Sequence, residues 1–110
     1  MSERMVKVNE LIAQQLGLII SSDIELPLGT IVTITSVETS PDLRHAKVFL
    51  SVLPETARRE VMSLLINQVK ELQKTLNNKI TLRVIPKLRF EIDETEQKAI
   101  ELERLLDNLE

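Results

Sequence analysis

Lysine and arginine side chains are the groups in this chain whose type and spacing point most clearly to a chemical role. One β-rich run carries three cations that are separated by an even number of residues, namely Arg83, Lys87 and Arg89. Because side chains an even number of residues apart share one face of a strand, the run predicts three cations on one side of a sheet. Such cations bind phosphates and release counterions, which gives affinity for a polyanion without base recognition.

Five further cations extend this candidate site. Two lie on a predicted hairpin, and three lie along or just after a long helical segment. The complete set proposed to bind the polyanion is Arg44, Lys47, Lys70, Lys74, Lys79, Arg83, Lys87 and Arg89. Ordinary surface charge remains the alternative for each residue taken singly, and it is weakest for the three that share a strand face.

The formal net charge of −3 conceals an uneven distribution. Residues 1–90 carry 12 Lys and Arg with 9 acids, whereas residues 91–110 carry 8 acids with 2 cations. A basic body that ends in an acidic segment indicates a polyanionic partner for the body. The alternative is that both are merely solvated faces.

Residue types that commonly perform catalysis are scarce. One histidine, no cysteine and two glycines leave no thiol nucleophile, zinc-finger site or glycine-rich phosphate loop. Ser40, Asp42 and His45 are close in sequence, but they lie on a predicted turn where Asp42 is explained as a turn former. We therefore expect no enzymatic activity, no cofactor and no metal site. Phe49 and Phe90 are the only aromatic residues, so we expect recognition of structured RNA through shape and backbone rather than base stacking.

Two β-rich runs joined by a polar turn, between Ile31 and Val52, form the element that must position the hairpin cations. Alternation in the second run predicts one dry face, made of Ala46, Val48, Leu50 and Val52. Thr39–Leu43 supplies the turn, with Pro41 presetting its own φ and Asp42 bonding nearby amides.

Helical periodicity predicts a first helix over Glu3–Ile20, with Ser2 as its N-cap. A second helical region begins near Pro54, is capped by Thr56, and runs about 22 residues to Asn77. At over 30 Å it would overshoot a strand, so we expect a break between residues 66 and 70.

A third strand is predicted over Ile80–Ile92, with Pro86 requiring an edge position or a bulge. The two-helix crossover that precedes it should be right-handed and should make a parallel pair with the second strand. The prediction is an α+β fold of order α-β-β-α-α-β, with a three-stranded mixed sheet (order 1-2-3), helices on one face and a C-terminal helix. The acidic tail, 94–110, carries an apolar stripe that either docks on the body or remains open to a partner.

This element order resembles the type II KH fold. Two motifs, Val37–Val52 and Leu82–Phe90 followed by Asp93, resemble the bacterial ribosome-binding factor A family. At the helix break the family has Ala-x-Gly, whereas this chain has Gln68-Val69-Lys70.

The resemblance implies a KH-like RNA-binding domain over 1–93 with an acidic C-terminal helix or tail over 94–110. It further implies a non-enzymatic assembly factor that binds the small ribosomal subunit and 16S rRNA near the neck and decoding region. Late maturation and processing of the rRNA ends would be its role. Two alternatives stay open: a protein-interaction module that docks through the tail, and a tail that competes with RNA for the basic face.

Length and hydropathy fit this setting. A chain of 110 residues is enough for one domain with a real core. No apolar run approaches the roughly 20 residues of a membrane span, and the N-terminus lacks a signal-peptide pattern. We expect a monomer in a reducing cytoplasm, without contact to a membrane.

Overall fold

The order of helices and strands follows the predicted α-β-β-α-α-β pattern. The computed structural model describes residues 3–109, apart from the side chain at position 96, so the predicted cap Ser2 lies outside the described residues. The elements are helix α1 (Glu3–Asp23), strands β1 (Ile31–Thr39) and β2 (His45–Leu53), a 3-10 turn (Glu55–Ala57), helices α2 (Arg58–Asn67) and α3 (Val69–Lys79), strand β3 (Lys87–Ile92) and helix α4 (Thr95–Asp107).

The sheet has the predicted topology. Its strand order is β1-β2-β3, with β1 antiparallel to β2 and β2 parallel to β3. Alternate residues of β2 and β3 are buried beneath the helices: Ala46, Val48, Leu50, Val52, Leu88 and Phe90. The opposite side, here called the open face, carries Lys47, Phe49, Lys87 and Arg89. This confirms the predicted dry and wet faces of the second hairpin strand.

Three helices supply the other half of the core. Each turns an apolar stripe toward the sheet, because side chains three or four residues apart share one side of a helix. The buried positions are Ile12, Leu16, Ile19 and Ile20 of α1, Val61 and Leu65 of α2, and Leu72 and Leu76 of α3. The helices therefore cover one face of the sheet and leave the open face to solvent.

The hairpin turn forms around Asp42, as predicted. Its Oδ1 accepts hydrogen bonds from Ser40 Oγ at 2.6 Å and from the Arg44 N–H at 3.1 Å. Leu43 completes the turn in the left-handed region, with a φ of 61°.

Strand β1 contains a β-bulge. Ile34 pairs with Leu50 and Ser36 with Phe49, so Thr35 is an extra residue without a partner in β2. The bulge aims the Thr35 hydroxyl at Asp93, beyond the end of β3, at 2.6 Å. The bulge therefore joins one edge of the sheet to the other.

The predicted break in the second helical region is confirmed at Gln68. This residue has φ −106° and ψ 9°, between the end of α2 and the start of α3. The Gln68 N–H still bonds Leu64 O at 3.1 Å, and Gln68 O accepts from Leu72 N–H at 2.9 Å. The predicted cap at Thr56 is wrong, because that residue lies inside the 3-10 turn and Ala57 precedes α2.

Strand β3 is shorter than predicted. It begins at Lys87, whereas the sequence predicted a strand from Ile80. The reason is the length of its partner: β2 begins at His45, which pairs with Lys87, and the hairpin turn lies before it. Residues 80–86 therefore have no strand to pair with, and they form an irregular connection.

Candidate nucleic-acid interface

Four cations meet at one end of the sheet. Lys47 pairs in register with Arg89, and adjacent strands are about 4.8 Å apart, so these two side chains are neighbours on the open face. Lys87 lies two residues before Arg89 on the same face. Its N–H bonds Arg44 O at 2.9 Å, which places Arg44 at the same end. We call Arg44, Lys47, Lys87 and Arg89 the sheet cations.

Nearby acidic residues reduce the positive charge of this surface. Glu38 pairs in register with Lys47 on the neighbouring strand. Arg89 Nε lies 3.8 Å from Glu91 Oε1, and the Arg89 side chain is 74% exposed. An exposed ion pair of this length contributes little free energy, so the guanidinium remains free to exchange its partner for a phosphate.

Helix α3 presents a second pair of cations. Lys70 and Lys74 are one turn apart and exposed, and we call them the helix cations. At about 100° per residue, both lie within roughly 100° of Gln73 around the helix. They belong to the helix layer of the molecule, whereas Lys47, Lys87 and Arg89 lie on the open face.

Gln73 fixes helix α3 against the edge of the sheet. Its Oε1 accepts a hydrogen bond from the Leu88 N–H at 3.0 Å, and its Nε2 donates to Pro86 O at 3.2 Å. The amide thus occupies the place that the next strand would take. Sequence reasoning missed this residue, because a glutamine in a helix carries no signal of its target.

Lys79 and Arg83 stand apart from both groups. Lys79 ends α3, and Arg83 lies in the irregular segment before β3. The predicted alignment of Arg83 with Lys87 and Arg89 is wrong, since strand alternation does not extend to residue 83. All eight candidate cations are exposed, but they form two groups and two separate residues rather than one face.

Asp93 joins three elements at the end of β3. Its carboxylate accepts hydrogen bonds from the Thr35 hydroxyl at 2.6 Å and from the Thr95 N–H at 2.9 Å. These bonds favour the charged form and lower the pKa of Asp93 to about 2. The carboxylate therefore ties the bulge of β1 to the start of α4. A parity shift between Ile34 and Val37 was the sequence signal that could have revealed the bulge.

The Ser40, Asp42 and His45 group is used by the hairpin turn. Ser40 Oγ donates to Asp42 and accepts from the main-chain N–H of His45 at 3.1 Å. The Ser40 bond, followed by the Arg44 main-chain bond, lowers the pKa of Asp42. The hydroxyl proton is thus directed at a carboxylate rather than at an imidazole base, which is the geometry of a turn and not of a catalytic triad.

Clusters of metal-ligating side chains and membrane-spanning helices are both missing from the described part of the chain. Among the described side chains, which are those of residues 3–109 without residue 96, no three or more His, Asp or Glu come together as a metal site. No helix within that range is long and apolar enough to cross a membrane.

Known proteins are similar to this chain in sequence. A family model described as ribosome-binding factor A matches residues 4–106. A ribosome-binding factor A from Akkermansia muciniphila is 36% identical over 110 residues, which cover 100% of this chain and 87% of the relative. One from Coxiella burnetii is 34% identical over 107 residues, covering 97% of this chain and 90% of the relative.

Solved structures agree with the fold. The crystal structure of ribosome-binding factor A from Thermus thermophilus superposes with a TM-score of 0.68 at 20% identity, covering 80% of this chain and 94% of that one. A Thermus thermophilus homology model, fitted into a cryo-EM map of a complex with the 30S subunit, gives a TM-score of 0.65 at 20% identity and covers 77% of this chain and 90% of that one.

Proposed function

This chain belongs to the ribosome-binding factor A family, and we propose that it is a non-enzymatic assembly factor that binds the small ribosomal subunit. The family match over residues 4–106 carries the proposal. The Thermus thermophilus relative fitted into a map with the 30S subunit supports it. The role that we assign is late maturation of the subunit and processing of the 16S rRNA ends, by a monomer in the cytoplasm.

We propose the sheet cations as the primary contact with 16S rRNA. Lys47 and Arg89 are adjacent and exposed, and the Arg89 ion pair is weak enough for a phosphate to replace it. Phe49 is half-buried and is the single aromatic side chain on the open face. That face is therefore suited to gripping the backbone of folded RNA and offers no platform on which several bases could stack.

The helix cations extend the proposed contact around the edge of β3. Gln73 holds α3 beside Pro86 and Leu88, and Lys70 and Lys74 lie within roughly 100° of Gln73 around that helix. An RNA segment that wraps this edge would meet both groups. Lys79 and Arg83 lie farther along the α3–β3 connection, and we propose them as peripheral contacts with smaller effects on affinity.

Charge reversal tests this assignment. The double variant Lys47→Glu, Arg89→Glu should bind small subunits on the order of tenfold or more weakly, because phosphate contacts are lost. Its affinity should also vary less steeply with salt, by about one unit of slope for each phosphate contact removed. Sedimentation with purified small subunits across a salt series measures both quantities.

A matched control is Arg4→Glu, Lys7→Glu, which makes the same charge change on α1. Its affinity should stay close to that of the original protein. Equal salt slopes for the sheet variant and the unchanged protein would remove these two residues from the interface. Failure of the unchanged protein to sediment with small subunits would refute the proposed function itself.

A further inference from the structure

Helix α4 and the turn that follows it carry an exposed row of leucines. Leu102, Leu105, Leu106 and Leu109 are between 55% and 81% exposed, and no residue of α4 within the described part of the chain is buried. We call these four residues the leucine stripe. An amphipathic helix normally turns such a stripe toward the core, so its exposure requires an explanation.

The polar side of α4 is the side that contacts the body. Gln97 Oε1 accepts from Arg58 Nη1, and Gln97 Nε2 donates to Glu55 Oε1, both at 3.3 Å. A surface cavity between the 3-10 turn and α4 is lined by Glu55, Gln97, Ile100, Glu101 and Arg104. Asp93 caps the first turn through the Thr95 N–H. The helix is therefore attached at its beginning and along its polar side.

Helix geometry turns the leucine stripe away from these attachments. At about 100° per residue, the three leucines inside the helix span an arc of roughly 100°, and Leu109 follows in the turn after Asp107. The centre of that arc lies about 140° around the helix from the centre of the side that holds Gln97, Ile100, Glu101 and Arg104. The stripe is thus presented outward on an anchored helix.

The charges beside the stripe identify the kind of partner that fits it. Glu101 borders one side of the stripe and Glu103 the other, and both are exposed; Lys98 lies in line with the stripe at its N-terminal end. Two copies of this helix would bring acids against acids, which disfavours a dimer through α4. RNA would meet the same acids with its phosphates. A groove with an apolar floor and Lys or Arg along its rims is complementary in both respects.

We propose that α4 docks its leucine stripe into an apolar groove with basic rims on a protein of the small ribosomal subunit. The inference rests on the proposed function and adds a protein contact to the RNA contact of the sheet cations. Helix-in-groove binding uses leucines at this spacing as anchors. Anchoring at Asp93 and Gln97 reduces the orientational freedom that docking would otherwise remove.

Two probes distinguish the protein contact from the RNA contact: intact small subunits and protein-free 16S rRNA. The double variant Leu102→Ser, Leu106→Ser should bind intact subunits about tenfold or more weakly, since buried anchor residues carry most of the energy of such interfaces. Its affinity for protein-free rRNA should stay within about twofold of the original. The matched control Leu18→Ser, Leu28→Ser alters two exposed leucines elsewhere and should change neither affinity.

Three results would overturn the inference. These are unchanged affinity of the stripe variant for intact subunits, an equal loss on both probes, or a dimer of the original chain that the stripe variant abolishes. Thermal melting of each variant establishes that the fold is intact. The original protein's binding to intact subunits is read in the same experiment, so failure of the proposed function is distinguished from failure of this inference.

Cross-linking provides an independent readout. The chain has no cysteine, so Ala99→Cys creates a unique site for a benzophenone beside the stripe. Irradiation with purified subunits should link α4 to a protein of net positive charge, and the link should disappear in the stripe variant. Cross-links to rRNA alone would refute the inference.

Discussion

Helices α1 and α4 carry similar apolar stripes, but the stripe of α1 is buried and the stripe of α4 is exposed to solvent. In α1 the stripe includes Ile12 and Leu16, both 0% exposed. In α4 the stripe includes Leu102 and Leu106, both more than half exposed. Both stripes recur at three- and four-residue intervals, so periodicity alone does not distinguish the buried helix from the open one.

The difference lies in what holds each helix to the sheet. Helix α1 packs its apolar side against β1 and α3, and its burial contributes to the core. Helix α4 is attached through Asp93 and Gln97, whose partners are polar groups. Apolar periodicity therefore shows that a helix has an apolar side. The position of the polar contacts decides whether that side faces the core or the solvent.

The difference between the two helices is tested most directly by truncating a leucine in each of them. Leu16→Ala should lower the free energy of unfolding by about 2–5 kcal/mol, because it leaves a cavity in the core. Leu106→Ala should change it by no more than about 0.5 kcal/mol, because the side chain is already exposed. Urea unfolding measures both values, and similar losses would mean that α4 packs on the body.

A substitution at Gln73 tests whether a polar contact contributes more to stability when it is shielded from water. Gln73→Met keeps the length of the side chain but leaves the Leu88 N–H and the Pro86 carbonyl without their partner. Loss of such a part-buried pair should cost about 1–3 kcal/mol. Gln97→Met on α4 and Gln14→Met on α1 serve as exposed controls, with small expected effects in urea unfolding. A Gln73 value as small as theirs would contradict the proposed role of the sheet edge.

Acid titration sharpens the comparison at the start of α4. The pKa of Asp93 is depressed from its ordinary 3.8 to about 2 by the Thr35 and Thr95 hydrogen bonds. Its stabilising effect is therefore present above about pH 4 and is lost as the pH falls toward 2. Asp93→Asn should flatten the decline in unfolding free energy between pH 4 and 2. An unchanged pH profile in that variant would mean that the carboxylate does not couple to folding.

Deleting residues 94–110 should have the smallest effect on stability. Because the described residues of α4 bury no side chain, the remaining body should lose only a fraction of a kcal/mol, about 0.5 or less. Thermal melting of the truncated and complete chains measures the difference. A melting temperature lowered by more than about 8 °C would show that the tail belongs to the cooperative unit.

Local patterns predicted much of the fold. Alternation at Ala46, Val48 and Leu50 predicted the dry face of β2, and the excessive length of the second helical region predicted the break at Gln68. The start of β3 was not predictable in this way, because it depends on where β2 begins, more than 40 residues earlier. Arg83 was misplaced for that reason.

The candidate site was predictable to a similar degree. The shared parity of Lys87 and Arg89 placed them together on the open face, and their strand neighbour Lys47 joined them. The contacts of Gln73 and Gln97 depend on elements that are distant in sequence, so neither the edge of β3 nor the outward direction of α4 could be read locally.

The break at Gln68 has a consequence for how freely this position can change during evolution. Its φ of −106° is negative, so the backbone there does not exclude side chains as a left-handed conformation would. The core contacts of Leu65 and Leu72 on either side fix where the two helices part. Residue 68 can therefore be substituted by many other amino acids during evolution, while the break between α2 and α3 keeps its position.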